Sequence, residues 1–143
     1  NFSHANSSRV RDEPQVLARV GEIWASAYTT EALALAVADA IEAAASVDPS
    51  DADGLQKASE RAELESSAAQ VTASQLAIDA ASDLFDTLGA SGTSTARGLD
   101  RHWRNARTVA SHNPRIFKAK VLGAFQVNGT PPPYAWGIGR TQR

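Results

Sequence analysis

The chain has 143 residues, enough for one domain with a hydrophobic core. Its formal net charge is −2 and 21% of its residues are charged, so no global field favours nucleic acid or an anionic membrane as a partner. The absence of cysteine excludes disulfides, thiol catalysis and cysteine-based zinc or iron–sulfur sites. No apolar run approaches the roughly 18 residues that span a membrane, and the start of the chain lacks the apolar core of a signal peptide. We expect a cytoplasmic protein.

The first predicted element is a long helix over residues 14–46. Asp12-Glu13-Pro14 is a helix start signal, since acids favour the positive end of the helix dipole and proline fits the first turn. Apolar residues then recur at helical spacing as far as Ala44. Thr29-Thr30 is a point where this helix could bend. We expect the preceding segment, 1–11, to be loose.

A second long helix is predicted over 54–88, after a turn rich in aspartate at 48–54. The aspartate spacing also resembles a calcium loop, but no glutamate follows at the required distance, which favours a simple turn. Apolar residues seven apart form a seam typical of near-antiparallel helix packing: Leu64, Val71, Ile78 and Phe85. The charged residues opposite are expected to be a solvated face with no further role: Glu60, Arg61, Glu63 and Glu65. The two helices predict an antiparallel hairpin within an all-α, up-down helical bundle.

Two shorter helices are predicted at 95–112 and 115–127, separated by Asn113-Pro114. The expected inward side chains are Leu99, Trp103, Ala106 and Val109 or Ala110 on the first, and Ile116, Val121, Leu122 and Phe125 on the second. Gly129 and three prolines end the second, leaving an extended tail over 130–143 that carries Tyr134 and Trp136. The helical-bundle domain is therefore predicted over 12–129.

Small residues make up the loop at 89–94. Gly89 and Gly92 permit close approach of the backbone, and Ser91 adds a hydroxyl donor. Because a helix is expected to begin just after the loop, its free N–H groups could bind a phosphate or another anion. The alternative is a flexible link with an ordinary serine or threonine cap.

Arginines recur every three or four residues along the third helix and form a basic stripe: Arg97, Arg101, Arg104 and Arg107. They could bind nucleic-acid phosphates while Trp103 stacks on a base, or hold a cofactor phosphate. They could also pair with acidic residues of neighbouring helices or subunits. We expect intramolecular pairing, and the acids in question are Asp79, Asp83 and Asp86.

His112 ends the third helix beside a proline, where its side chain can project into a cleft. Histidine is the natural general acid or base near neutral pH. A histidine at this place also commonly caps the last carbonyls of a helix. His4 and His102 show no metal-ligand spacing with it, and no metal site is predicted.

Several short segments, together covering about residues 10–133, are more distinctive than the helices around them. They are Asp12-Glu13-Pro14, Val20-Gly21-Glu22, 88–93, 99–108, His112-Asn113-Pro114 and Asn128-Gly129. The most specific is DRHWRNAR, at 100–107. These segments resemble the C-terminal domain of flavin-dependent monooxygenases with the acyl-CoA dehydrogenase fold, in particular the sulfur-acquisition group around dibenzothiophene monooxygenase.

This resemblance implies a homotetramer and a reduced flavin, FMN with FAD as the alternative, supplied by a separate flavin reductase. With O₂ the flavin would oxygenate a small organic substrate, often a sulfur compound; neither nucleic acid nor a membrane is an expected partner. By the same resemblance Gly89, Ser91 and Gly92 approach the flavin from a neighbouring subunit. His112 would lie near the reacting face and assist proton transfer. The arginines would hold helices and subunits together.

The sequence departs from related desulfurising enzymes, which tend to carry arginine at Ser91 and a second histidine at Val109. An acyl-CoA dehydrogenase is the competing enzyme, and many of these have a glutamate base where this chain has Asn113. An amide cannot be that base, although some dehydrogenases place the glutamate elsewhere. Outside the enzymes, a helical module whose basic helix binds a partner or nucleic acid also stays open.

The resemblance also predicts that the chain begins inside a C-terminal domain, after its first helix. In such enzymes an N-terminal helical domain and a middle β-domain hold most of the flavin. We therefore expect the 143 residues alone to be inactive.

Overall fold

The computed structural model describes residues 6–133, and these form four α-helices and two short 3-10 turns without a strand. The helices are α1, Pro14–Ala45; α2, Ala52–Leu88; α3, Asp100–His112; and α4, Arg115–Asn128. The 3-10 turns are Val10–Asp12 and Ala90–Thr93. The prediction of an all-α fold is confirmed. Within residues 6–133, no helix is long and apolar enough to cross a membrane. The tail residues Tyr134 and Trp136 lie outside the described residues.

α1 and α2 form the predicted hairpin. In the turn between them, the Asp48 carboxylate accepts hydrogen bonds from the Ser50 backbone N–H and hydroxyl, at 2.8 and 2.7 Å, and these lower the pKa of Asp48. Asp51 caps α2 by accepting from the Gly54 N–H at 2.9 Å. This cap is why α2 begins at Ala52 rather than at 54.

The other end of the hairpin is tied by Arg19 of α1, which lies 3.4 Å from Asp83 and 3.3 Å from Asp86 of α2. These two aspartates were predicted to pair with arginines of the third helix, and that prediction is wrong. α1 lies against this part of α2 and presents Arg19 to them. Asp79 instead accepts a hydrogen bond from Gln75, one turn earlier in α2, at 2.6 Å.

The core of the described residues is thin. Its buried apolar side chains are Ala40, Ile78 and Ala110. The other members of the heptad seam are half-buried: Leu64, Val71 and Phe85. Alanine-rich helices approach closely but bury little area per residue, so the packing gives modest hydrophobic stabilisation.

The outer face of α1, away from α2, exposes large apolar side chains that we call the α1 apolar face: Leu17, Val20, Trp24, Tyr28 and Leu35. Trp24 is 66% exposed and Tyr28 is 61% exposed, and their rings stack with centroids 5.5 Å apart. A soluble monomer rarely leaves such a contiguous apolar surface uncovered. The stripe runs along one side of the helix, since its members recur at helical spacing.

α3 and α4 differ from their predictions at three points. α3 begins at Asp100 rather than at 95, because Gly98 takes a left-handed conformation, φ 57°, that a helix cannot contain. The prediction that Trp103 points inward is wrong, since it is 41% exposed; of the two alternatives predicted further along α3, Ala110 is the buried one and Val109 is 71% exposed. On α4 the prediction that Ile116 points inward is wrong, since it is 72% exposed.

The buried position on α4 is occupied by Lys118, which is only 4% exposed. Its ammonium lies 2.7 Å from the Glu63 carboxylate of α2. Glu63 was predicted to belong to a solvated face with no further role, and this is wrong, because α4 packs over that side of α2. The ion pair is what permits a lysine in the contact between the two helices.

Candidate functional site

The loop after α2 is folded against its own helix. Gly89 turns the chain with φ 63°, and Ala90–Thr93 form the 3-10 turn. Gly92 is buried, and a Cβ placed on it would lie 2.9 Å from the Leu88 Cβ and 3.5 Å from the Phe85 ring. Ser91 is exposed, and its hydroxyl donates to the Leu88 carbonyl at 3.2 Å.

This geometry does not suit an anion. The loop follows the C-terminal end of α2, where the helix dipole is negative, and α3 begins only at Asp100. The predicted start at 95 would have placed a positive dipole end beside the loop. The exposed surface at Ala90 and Ser91 carries no charged side chain and is therefore not suited to a phosphate.

His112 is the last residue of α3 and is exposed. Asn113 has an extended backbone, φ −119° and ψ 92°, because the residue before a proline is pushed out of the helical region. Pro114 then caps α4, whose first turn is closed by the Phe117 N–H donating to the Pro114 carbonyl at 3.0 Å. We call residues 112–114 the α3–α4 corner.

Two glutamines of α2 contact the corner and the residue that follows it, and sequence analysis had assigned neither a role. Gln70 donates from its amide to the Asn113 carbonyl at 2.6 Å. Arg115, at the start of α4, donates to the amide oxygen of Gln75. The one available signal was that Gln75 lies four residues after Val71 and three before Ile78, on the face of the heptad seam, where a polar residue needs a partner.

His112 and the loop do not share a pocket within one chain. The corner lies against α2 at Gln70, and the loop begins after Leu88, 18 positions later on the same helix. At a rise of 1.5 Å per residue the two are about 27 Å apart along α2. The loop and the α3–α4 corner are therefore separate surfaces of one chain.

The basic stripe lies on the surface of α3. Arg104 pairs with Asp100 of its own helix at 3.1 Å. Within residues 6–133, the structure shows no ion pair for Arg97, Arg101 or Arg107, all of which are exposed. Exposed guanidinium groups of this kind are suited to bind phosphates or carboxylates. Among the same residues, no three His, Asp or Glu side chains gather as metal ligands.

A flavin is thus matched in part by residues of this chain. The loop offers a neutral wall and an exposed hydroxyl, α3 offers guanidinium groups, and the corner offers an imidazole. The loop, α3 and the corner are separate surfaces and do not enclose a cavity together.

Comparisons with known proteins identify the family of this chain. The family described as the C-terminal domain of acyl-CoA dehydrogenase matches residues 2–114. A dibenzothiophene monooxygenase from Mycolicibacterium goodii is 32% identical over 133 residues, which are 92% of this chain and 31% of the relative. The probable FMNH2-dependent monooxygenase SfnC of Pseudomonas putida is 31% identical over 123 residues, 85% of this chain and 30% of the relative.

Solved structures show the same fold. Methanesulfinate monooxygenase MsuC from Pseudomonas fluorescens matches with a TM-score of 0.79 and 29% identity, over 94% of this chain and 34% of its own. FMN-bound TdsC from Paenibacillus sp. A11-2 matches with a TM-score of 0.73 and 28% identity, over 91% of this chain and 33% of its own. The chain therefore spans about a third of the length of these relatives. By fold and by sequence, it belongs to the acyl-CoA dehydrogenase C-terminal domain family.

Proposed function

We propose that this chain is the C-terminal helical domain of a monooxygenase that uses reduced FMN and O₂ to oxygenate a small organic substrate. One observation carries the proposal: the likeness to a dibenzothiophene monooxygenase and to FMN-bound TdsC extends over more than nine-tenths of the chain. Sulfur compounds are the first substrate class to test, because the names of two relatives specify them. A cytoplasmic location and a separate flavin reductase as electron donor belong to the same proposal.

Within this proposal, Gly89, Ser91 and Gly92 form one wall of the flavin site. Gly92 acts indirectly, since it is buried against Leu88 and lets the turn close so that Ser91 stays at the surface. Reduced FMN, when bound, supplies the electrons that activate O₂. His112 holds or transfers a proton at the imidazole, which its exposure and its position at a helix end make available.

The same proposal includes a homo-oligomer, with a tetramer as the expected state. The α1 apolar face is its interface, because a stripe containing Trp24, Tyr28 and Leu35 needs cover. The roughly 27 Å between the loop and the α3–α4 corner along α2 also favours a site built by two chains.

The direct test uses the complete monooxygenase that carries this domain, supplied with reduced FMN, O₂ and dibenzothiophene or methanesulfinate. We expect an oxygenated product that depends on O₂. We expect His112→Ala to lower kcat by about 10²- to 10⁴-fold, the usual contribution of a general acid or base, with FMN affinity little changed. The matched control is His102→Ala, a second exposed histidine of α3, which should stay within about twofold of wild type.

Two results would count against the proposal. Lack of any O₂-dependent product from the wild type would remove the monooxygenase function. Unchanged turnover of His112→Ala with bound FMN would leave the function intact but reduce His112 to a helix cap.

A further inference from the structure

The α3–α4 corner contains a carbonyl that neither of its helices can satisfy. The Asn113 carbonyl precedes Pro114, and the first hydrogen bond of α4 is accepted by Pro114 itself. The Asn113 carbonyl is also partly buried, so leaving it without a hydrogen-bond donor would cost free energy of desolvation.

Gln70 supplies the donor from the middle of α2. Its amide nitrogen lies 2.6 Å from the Asn113 carbonyl oxygen, 43 positions away in sequence. The contact is partly shielded from water, which strengthens it relative to a surface hydrogen bond. It fixes the backbone of the residue directly after His112.

Two further contacts hold the helix that follows the corner. Arg115 donates to Gln75, and Lys118 pairs with Glu63 at 2.7 Å. All three partners lie on α2, so the start of α4 is held at several points along one rigid helix. Gln70 is the one among them that binds the corner itself.

From this arrangement we infer that Gln70 is a positioning residue for His112: through the Asn113 carbonyl it fixes the place of the imidazole relative to α2. The inference rests on the proposed function, because it assumes that His112 takes part in the reaction. Gln70 itself touches neither flavin nor substrate in this assignment. Its loss should therefore change turnover rather than flavin affinity.

The experiment uses the complete monooxygenase and compares Gln70→Glu with Gln70→Leu. Gln70→Glu keeps nearly the same shape but replaces the donor with an acceptor when ionised. Both variants should lower kcat by about 10- to 100-fold, as expected for a displaced catalytic group, and leave the KM for reduced FMN within about twofold. Gln56→Leu is the control, since Gln56 is an exposed residue of α2 whose amide donates to Glu60 of the same helix, at 3.1 Å.

A double-mutant cycle separates positioning from a general loss of stability. If Gln70 acts through His112, adding Gln70→Leu to His112→Ala lowers kcat no further. Full additivity of the two effects overturns the inference. Amide hydrogen exchange measured by mass spectrometry gives a second readout, in which residues 113–118 should exchange about tenfold faster in both Gln70 variants than in wild type.

Unchanged exchange in that segment overturns the inference, because the contact would then not hold the corner. Faster exchange with unchanged kcat overturns it as well, because the position of the corner would not matter to the reaction. Failure of the proposed function is recognised separately, as absence of product from the wild-type enzyme in the same assay.

Discussion

Gly92 has two possible roles, one in contact with a flavin and one in the packing of the loop, and experiment can separate them. It was predicted as part of a flavin-facing loop, and the structure buries it against Leu88 and Phe85. A side chain at this place has to displace the end of α2, whatever else the loop does. The requirement for glycine is therefore explained by packing within the chain.

We expect Gly92→Ala to lower the free energy of unfolding by about 1–3 kcal/mol, because the added methyl group overlaps the Leu88 side chain. Urea denaturation followed by far-ultraviolet circular dichroism measures this. Gly21→Ala is the control: Gly21 lies inside α1 with open space where an alanine methyl group would stand, so this change should raise stability by about 0.5–1 kcal/mol. Equal stability of Gly92→Ala and wild type would contradict the packing explanation.

The pair of Lys118 and Glu63 is asymmetric, since the lysine is buried and the carboxylate is about a third exposed. We expect Glu63→Gln to destabilise the protein more than Lys118→Met, because the first removes the negative charge beside a buried ammonium and the second leaves a carboxylate near water. The larger cost should approach a few kcal/mol, discounted for the exposure of Glu63.

The free energies of unfolding of Glu63→Gln and Lys118→Met, measured by urea titration, test this order of stability. The reverse order would show that the carboxylate, not the ammonium, is the poorly solvated partner. Asp100→Asn is a suitable reference, since Asp100 pairs with Arg104 at the surface and should change stability by less than about 0.5 kcal/mol.

At the scale of elements, helical periodicity predicted the two long helices well. The start signal at Pro14 and the turn after Val47 lie where the structure has them. The predicted start of α3 was wrong because the residues at 94–97 are compatible with a helix. The left-handed conformation of Gly98 is what delays the start to Asp100. The Gln70 contact could not be predicted, since it depends on which side of α2 receives α4.

α1 is packed on one side only, and its apolar face supports the proposed oligomer. We expect Trp24→Glu to dissociate the assembly or lower its apparent mass, because a charge would be placed in the centre of the interface. Sedimentation velocity at matched concentrations measures the change. Ala36→Glu is the control, on an exposed position of α1 outside the apolar face. An unchanged mass for Trp24→Glu, or the same loss in both variants, would contradict the assigned interface.

At the scale of the whole molecule, the thin core and the separate site edges have one explanation. The described residues bury few large side chains, and neither the loop nor the corner encloses a ligand. Both properties agree with the proposed function, in which other domains and other copies complete the site. The family could be predicted from DRHWRNAR, whereas the separation of His112 from the loop required coordinates.

On the proposed function, the 143 residues expressed alone should neither retain FMN nor catalyse oxygenation, because they supply only edges of the site. The measurement is the flavin absorbance of the purified short protein, first as isolated and again after FMN has been added and the unbound FMN removed. The complete enzyme, treated in parallel, is the control that shows the flavin can be retained. Stoichiometric flavin in the purified short chain would contradict this expectation.

The central place of α2 has a consequence for how the chain folds. α1, α3 and α4 all pack against α2. A short turn joins α1 to α2, so residues near that turn are close in sequence. The contacts that α4 and the corner make with α2 join residues far apart in sequence, as in Gln70 with Asn113 and Glu63 with Lys118. Because short loops close at a lower entropic cost, the α1–α2 hairpin should form first and present a ready surface on which α3 and α4 assemble. The α3–α4 corner would then be the last part of the domain to become ordered and the first to open.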